Sequence, residues 1–281
     1  MKSLLDILRD AEGYLGKHGS ASPRVDAELL IAHALEMPRL NLYLQFDRPL
    51  VEAELAKIRP LLKRRASHEP LQYITGSTGF MTIEVLVGPG VLVPRPETER
   101  LVELALDRYD GSGPALDLCT GSGCIPLAIA AKYPEARITG VELSPEALAW
   151  AERNREALKA EHVDFRQGDL FAPVAGEQYA LITANPPYVR DDEFGTLPPD
   201  VRDHEPRQAL VSGNDGLDLV RRLVAEAPAH LLPGAWLLME ISPPQRDATV
   251  ALLQAAGLTD AAVINDYSKR PRVAIARKPA E

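Results

Sequence analysis

The chain has 281 residues, 46% hydrophobic and 25% charged, which fits a soluble globular protein long enough for two domains. That balance excludes collagen-like, coiled-coil and disordered classes. Net charge is −9, and residues 1–75 hold 11 basic and 10 acidic side chains, leaving 20 and 30 for the rest. So acidic a chain is a poor match to an extended nucleic-acid grip.

Residues 1–75 read as a small helical bundle. Ser22-Pro23 marks a helix start, with Ser as the cap and Pro at the first helical position. Val25, Leu29 and Ala32, and later Leu55, Ile58 and Leu62, recur at near-helical spacing. Lys63-Arg64-Arg65, the densest basic run, reads as a solvated helix end. No nucleophile–base pair and no glycine loop stands out in this part.

Residues 76–97 change character. Gly76, Gly79, Gly88, Pro89, Gly90, Pro94 and Pro96 punctuate two β-rich runs, Met81–Val87 and Val91–Val93, which predict a hairpin connector. From residue 98 to 281 strands and helices alternate. The strands expected are Ala115–Cys119, Arg137–Glu142, Val163–Gly168, Tyr179–Ala184, Ala235–Ile241, Leu258–Asn265 and Arg272–Arg277. Helix-length segments such as Ser144–Leu158 and Gly216–His230 lie between most of them. The pattern defines a doubly wound α/β sheet, and the last two strands, with no helix between, form an antiparallel pair.

Cys119 and Cys124 suit neither a disulfide scaffold nor, beside six scattered His, a metal site, so no metal is expected. The N-terminal apolar run breaks at Asp6, with no leader signature. The longest uncharged apolar-rich stretch, Leu118–Ala131, has 14 residues, against ~20 for a membrane helix. A cytoplasmic protein without membrane contact is the expectation.

In an open α/β sheet, ligands bind beyond the carboxyl ends of the strands, near the switch point. Asp117-Leu118-Cys119-Thr120-Gly121-Ser122-Gly123 closes one strand and opens a helix over Cys124–Tyr133. Its glycines let backbone N–H groups approach a ligand. Cys119 stands where a dinucleotide fingerprint has its first Gly, and no Lys-Ser/Thr follows, so phosphate binding is disfavoured. Glu142 ends the next strand, 19 residues beyond Gly123, where a carboxylate accepts hydrogen bonds from ribose hydroxyls. A glycine loop and a ribose acid without a phosphate site point to an adenosyl group lacking pyrophosphate, as in S-adenosylmethionine. Gly168-Asp169-Leu170 ends the third strand, and Asp169 reads equally as a contact flanking adenine or as a helix cap.

Asn185-Pro186-Pro187-Tyr188 follows directly on the strand Tyr179–Ala184. Two prolines supply no N–H and a fixed φ, so carbonyls are presented on a stiff loop. Asn185 adds a donor and an acceptor, and Tyr188 an aromatic face with a polar tip.

Together with Asp117–Gly123, this tetrad resembles the S-adenosylmethionine-dependent N-methyltransferases of planar, conjugated nitrogens. Within that group the chain is similar to the HemK/PrmC family, the glutamine methyltransferases of peptide chain release factors. The match is carried by Glu69–Gly76, Val93-Pro94-Arg95-Pro96-Glu97-Thr98-Glu99, Asn185–Tyr188, Glu205–Leu210 and Asp266–Val273, and it spans essentially the whole chain.

The resemblance implies a Rossmann-like seven-stranded methyltransferase domain behind a helical domain that docks the substrate. It implies S-adenosylmethionine as methyl donor, S-adenosylhomocysteine as product, and the Gly-Gly-Gln glutamine of a class 1 release factor as acceptor, with no stable nucleic-acid partner. Cys119, Thr120, Gly121, Ser122, Gly123, Glu142, Leu170 and Asn185 would line the cofactor site, with Asp169 beside them. Asn185, Pro186, Pro187 and Tyr188 would hold the glutamine, and Asn185, Pro186 and Tyr188 would carry the catalysis.

The chain departs from the family pattern at Cys119, where glycine is usual, and at Ile241-Ser242-Pro243, where Ile-Gly is expected. Cysteine at the first of these also occurs in a sister group that methylates a glutamine of a ribosomal protein, the main alternative. DNA amino-methylation uses the same tetrad logic, but an acidic chain without a basic recognition domain argues against it. An adaptor that binds cofactor without catalysis is the alternative from outside the enzymes. Arg95 and Glu97 read as braces of a domain junction or as a border of the substrate entrance. His204 and Glu205 read as a surface loop or a substrate contact.

Overall fold

The computed structural model describes residues 2–280. The chain divides into two compact units. One comprises residues 2–77 with Pro198–His204, the other Thr78–Leu197 and residues 205–280.

The first unit is built from α1 (Leu4–Lys17), α2 (Pro23–Ala34), α3 (Arg39–Tyr43), α4 (Glu52–Ala66) and α5 (Leu71–Thr75). A reciprocal cap starts α1: Asp6 N–H donates to Ser3 Oγ (3.2 Å) and Ser3 N–H to the Asp6 carboxylate (3.1 Å). Leu4, Leu8, Ala11 and Leu15 then fall on one face and are buried with Ala27, Leu30, Ile31 and Ala34 of α2. Of the expected Val25–Leu29–Ala32, Ala32 is buried in this core, Leu29 is half-buried and Val25 is not part of it. Apolar residues occupy more than one face of this helix, and Val25 lies on the exposed one. Ser22 makes no side-chain cap; only its carbonyl takes part, accepting from Asp26 N–H (2.9 Å).

Arg65 is not solvated as its basic run suggested. It donates to Asp26 (2.7 Å) and reaches Asp200 (3.5 Å), which ties Pro198–His204 into this unit. Glu28, also buried, is satisfied by Arg24, Arg39 and Tyr43.

The second unit opens with β1 (Ser77–Phe80) and β2 (Ile83–Leu86), a two-stranded sheet that turns at Met81. The expected second run of the connector, Val91–Val93, is not a strand. Pro94 and Pro96 interrupt it on one side and Gly88-Pro89-Gly90 on the other, and Val91 and Val93 are buried as an irregular segment. The elements that follow are α6 (Pro96–Leu106), β3 (Ala115–Leu118), α7 (Cys124–Lys132), β4 (Ile138–Glu142), α8 (Pro145–Ala157), β5 (Val163–Gln167) and β6 (Tyr179–Ala184). After α9 (Pro199–Arg202), which belongs to the helical unit, come α10 (Asp218–His230), β7 (Leu231–Glu240), α11 (Arg246–Ala255), β8 (Thr259–Asn265) and β9 (Pro271–Arg277).

Seven strands form one sheet in the order β5-β4-β3-β6-β7-β9-β8. Pairs among β5, β4, β3, β6 and β7 are parallel, and β9 runs antiparallel to both β7 and β8. The chain winds outward from β3 to β5, then returns to place β6 on the other side of β3. The switch point therefore lies between the carboxyl ends of β3 and β6, where a crevice opens. The central strands are apolar on both faces: Leu116, Ile182 and Leu237 are buried on one, and Ala115, Leu181 and Leu238 on the other. Rigid strands thus present their carboxyl ends to one cleft.

Candidate active site

The cleft above β3, β4, β5 and β6 is lined by Cys119, Thr120, Gly121, Ser122, Glu142, Leu143, Asp169, Leu170, Asn185 and Pro187, and roofed by Leu92, Arg95, Pro206 and Gln208. About 1010 Å³ of space lies within it, the open solvent at its mouth included.

The glycine loop is held from below. Asp117, at the end of β3, is 1% exposed and accepts from Thr120 Oγ1 (2.6 Å) and Thr183 Oγ1 (2.7 Å). Burial pushes its carboxyl up to about 7, against the two hydroxyls that favour the ion. Asn154 of α8, fully buried, donates to the Ser122 carbonyl (2.9 Å) and joins the loop to Leu86 through two further bonds. Gly121 donates its N–H to Glu142 Oε2 (2.8 Å), while Ser144 N–H donates to Oε1 (2.9 Å). Each Glu142 oxygen so keeps a lone pair for a further donor.

Gly123 does not line the cleft. It caps α7 at φ 77°, and a Cβ there would lie 2.7 Å from the Phe165 ring. Cys119 adopts φ 57°, a strained backbone for a side chain. Burial pushes its thiol well above the usual range, and that of Cys124 up to about 12. Because the thiolate is the reactive form, buried Cys124 should react with a disulfide reagent at pH 8 at least ~100-fold more slowly in the native chain than in denaturant. Rapid native labelling at Cys124 would contradict this burial.

Asn185 continues β6 into the cleft, and Pro187 also lines it, whereas Pro186 is buried and Tyr188 does not face the cleft wall. Among the described residues no backbone donor engages the Pro186 carbonyl. Tyr188 donates its hydroxyl to Glu240 (3.0 Å), and burial together with that carboxylate drives its phenol upward.

Downstream, the tetrad is strapped in place. Val189 N–H donates to Leu210 O (2.8 Å), Ser212 N–H donates to Val189 O (2.9 Å), and Gln245 Nε2 donates to Tyr188 O (3.0 Å). Ser242 N–H donates to Gln245 Oε1 (3.0 Å) and so aims that amide at the tetrad.

Gly216 completes the strap at φ 72°; a Cβ there would sit 2.1 Å from Tyr188 O and 2.5 Å from Gln245 Nε2. Gly216→Ala is therefore expected to cost about 2–4 kcal/mol, a strained backbone plus overpacking. Denaturant unfolding measures it, and an unchanged midpoint would contradict the contact.

Asp169 lines the cleft and accepts from Arg222 (2.8 Å) rather than capping a helix. Arg95, a cleft residue, pairs with buried Glu205 at 2.5 Å, while Glu97 is exposed. Three residues that sequence reasoning did not single out, Thr98, Glu240 and Gln245, contact the tetrad. The signal for Glu240 was a lone acid closing an apolar strand.

S-adenosylmethionine fits the residues present. Arg95 alone among the lining residues is cationic, and it is neutralised by Glu205, so nothing awaits a pyrophosphate. Glu142 has acceptor capacity for ribose hydroxyls, and Leu143 and Leu170 offer flat apolar walls. Among the described residues no group of three or more His, Cys, Asp or Glu is placed to hold a metal ion.

The sheet order and the strand-end cleft define the class as an S-adenosylmethionine-dependent methyltransferase with the Rossmann-like fold. Residues 6–76 match the family model "PrmC N-terminal domain" and residues 98–197 the "Methyltransferase small domain". The chain is 41% identical over 273 residues to the release factor glutamine methyltransferase of Geobacter sulfurreducens, covering 97% of this chain and 95% of that one. It is also 41% identical to the protein of that name from Streptomyces coelicolor, covering 99% of each. Among solved structures, a methyltransferase from Pyrococcus furiosus superposes with a TM-score of 0.53 at 19% identity, covering 69% of this chain and 88% of that one. The last is a likeness of fold. The chain belongs to the release factor glutamine methyltransferase family.

Proposed function

We propose that the protein transfers a methyl group from S-adenosylmethionine to the side-chain amide nitrogen of the glutamine in the Gly-Gly-Gln motif of a class 1 peptide chain release factor. The observation that carries this reading is the position of Asn185, which shares one cleft with the Gly121 loop and Glu142. Glu142 serves the ribose, and Cys119, Thr120, Gly121, Ser122, Asp169 and Leu170 form the surrounding wall. The helical bundle of residues 1–75 docks the factor, residues 76–97 connect, and residues 98–281 perform the chemistry, in the cytoplasm where release factors work.

When bound, the cofactor supplies a methyl group already activated by its sulfonium. The protein's task is to align a poor nucleophile, because the amide lone pair is delocalised into its carbonyl. Fixing two reactants in a near-attack pose removes up to ~7–11 kcal/mol of barrier. Asn185 Oδ1 and the Pro186 carbonyl accept the two amide N–H bonds and so favour positive charge developing on that nitrogen. Tyr188, whose hydroxyl is anchored on Glu240, sets the far end of the loop rather than packing on the amide plane. A methylated, cationic amide nitrogen sheds its proton readily, so no strong base is needed.

Peptide mass spectrometry of a release factor after incubation with enzyme and cofactor tests the reading. One methyl group on the Gly-Gly-Gln glutamine is the expected product, and an unmodified glutamine would count against it.

A further inference from the structure

The tetrad rests on a carboxylate with no ordinary reason to be buried. Glu240 closes β7 at 1% exposure, and burial pushes its carboxyl upward despite two donors and the nearby Arg272. A well-packed apolar residue would cost less there. Its two donors are the Tyr188 hydroxyl (3.0 Å) and Thr98 Oγ1 (2.7 Å), and Thr98 Oγ1 in turn lies 3.3 Å from Asn185 Nδ2. Thr98, at 2% exposure, has one proton to give.

We propose that Glu240 and Thr98 are positioning residues that fix the polarity of the Asn185 carboxamide. Two hydroxyl donors and the nearby Arg272 favour the ionised form of Glu240, and a carboxylate only accepts, so the Thr98 proton points at Glu240. That leaves Thr98 Oγ1 with lone pairs alone, which tolerate the amide NH2 of Asn185 and repel its oxygen. Asn185 Nδ2 is thereby turned toward Thr98, and Oδ1 is the group offered to the cleft. The inverted carboxamide would meet a substrate N–H with another N–H and block the alignment. The same carboxylate holds Tyr188, so both ends of Asn185–Tyr188 are set by one charge. The inference rests on the reading that Asn185 accepts from a substrate amide.

The test uses the full chain with Thr98→Val, Thr98→Ser and Glu240→Gln. The readouts are turnover on a release factor, cofactor affinity by calorimetry, and the side-chain NH2 resonances of Asn185, assigned by their loss in Asn185→Asp. Thr98→Val, isosteric but without the hydroxyl, should lower kcat about 10–100-fold, with KM and cofactor affinity within about threefold. Thr98→Ser keeps the hydroxyl and should recover kcat to within about threefold of the parent. Glu240→Gln leaves one acceptor oxygen for two hydroxyl donors, so Thr98 or Tyr188 loses its partner and kcat should fall, by no more than in Thr98→Val.

The Asn185 NH2 pair should exchange slowly with water in the parent and in Thr98→Ser, and rapidly in Thr98→Val. Equal losses in Thr98→Val and Thr98→Ser would assign the effect to packing and overturn the proposal, as would an unchanged NH2 pair in Thr98→Val. If the parent methylates no release factor, the functional reading fails, and the NH2 spectra still decide the polarity.

Discussion

Asn185→Ala is expected to lower kcat on a release factor by about 10²–10³-fold, the cost of removing one preorganised partner of developing charge. Cofactor affinity should stay within about threefold, because Asn185 is one lining residue among many and the proposed polar contact to the cofactor is Glu142. The substitution should also be benign to the fold. Asn185 is half-buried and its side-chain bond to Thr98 is long at 3.3 Å. Steady-state kinetics beside calorimetry separate the two effects. Near-parent turnover, or a collapse of cofactor binding without loss of kcat, would contradict the role given to Asn185.

Glu142→Ala should act on the opposite side of the ledger. The carboxylate accepts from Gly121 N–H and Ser144 N–H at 2.8 and 2.9 Å and retains a lone pair on each oxygen for ribose hydroxyls. Hydrogen bonds to a charged group contribute roughly 1.5–3 kcal/mol, so the cofactor Kd should rise about 10–100-fold. Two backbone donors of the loop lose their partner as well, so the Gly121 turn loosens. With saturating cofactor, kcat should largely return, which distinguishes this residue from Asn185. A Kd unchanged by Glu142→Ala would remove the ribose contact.

Much of the α/β unit was legible because its strands are short apolar runs bounded by turn residues. All seven expected strands are present to within a residue or two at most ends, including the antiparallel pair Thr259–Asn265 and Pro271–Arg277. The start of β7 at Leu231 was missed because Pro233-Gly234 reads as a break, yet the pairing to β6 resumes beyond it. The hairpin was misplaced for a related reason. Val91–Val93 has strand composition but proline neighbours, while Ser77–Phe80, polar and glycine-containing, pairs with Ile83–Leu86.

Within the cleft, Gly121, Glu142 and Asn185 could be named from strand-end logic alone, since topology brings every parallel carboxyl end to one side. Thr98, Glu240 and Gln245 could not, because each acts through a partner distant in sequence: Thr98 and Glu240 are 142 residues apart. Arg65 shows the same limit. Its exposed-looking basic run hides a pair to Asp26, 39 residues away.

The most direct measurement is methyl transfer from labelled S-adenosylmethionine to a purified release factor, to the same factor with its Gly-Gly-Gln glutamine changed to alanine, and to ribosomal protein and duplex DNA. Label on the native factor alone is the predicted result. Label that persists on the alanine factor, or that appears only on the ribosomal protein or DNA, would contradict glutamine methylation of release factors as the function of this chain.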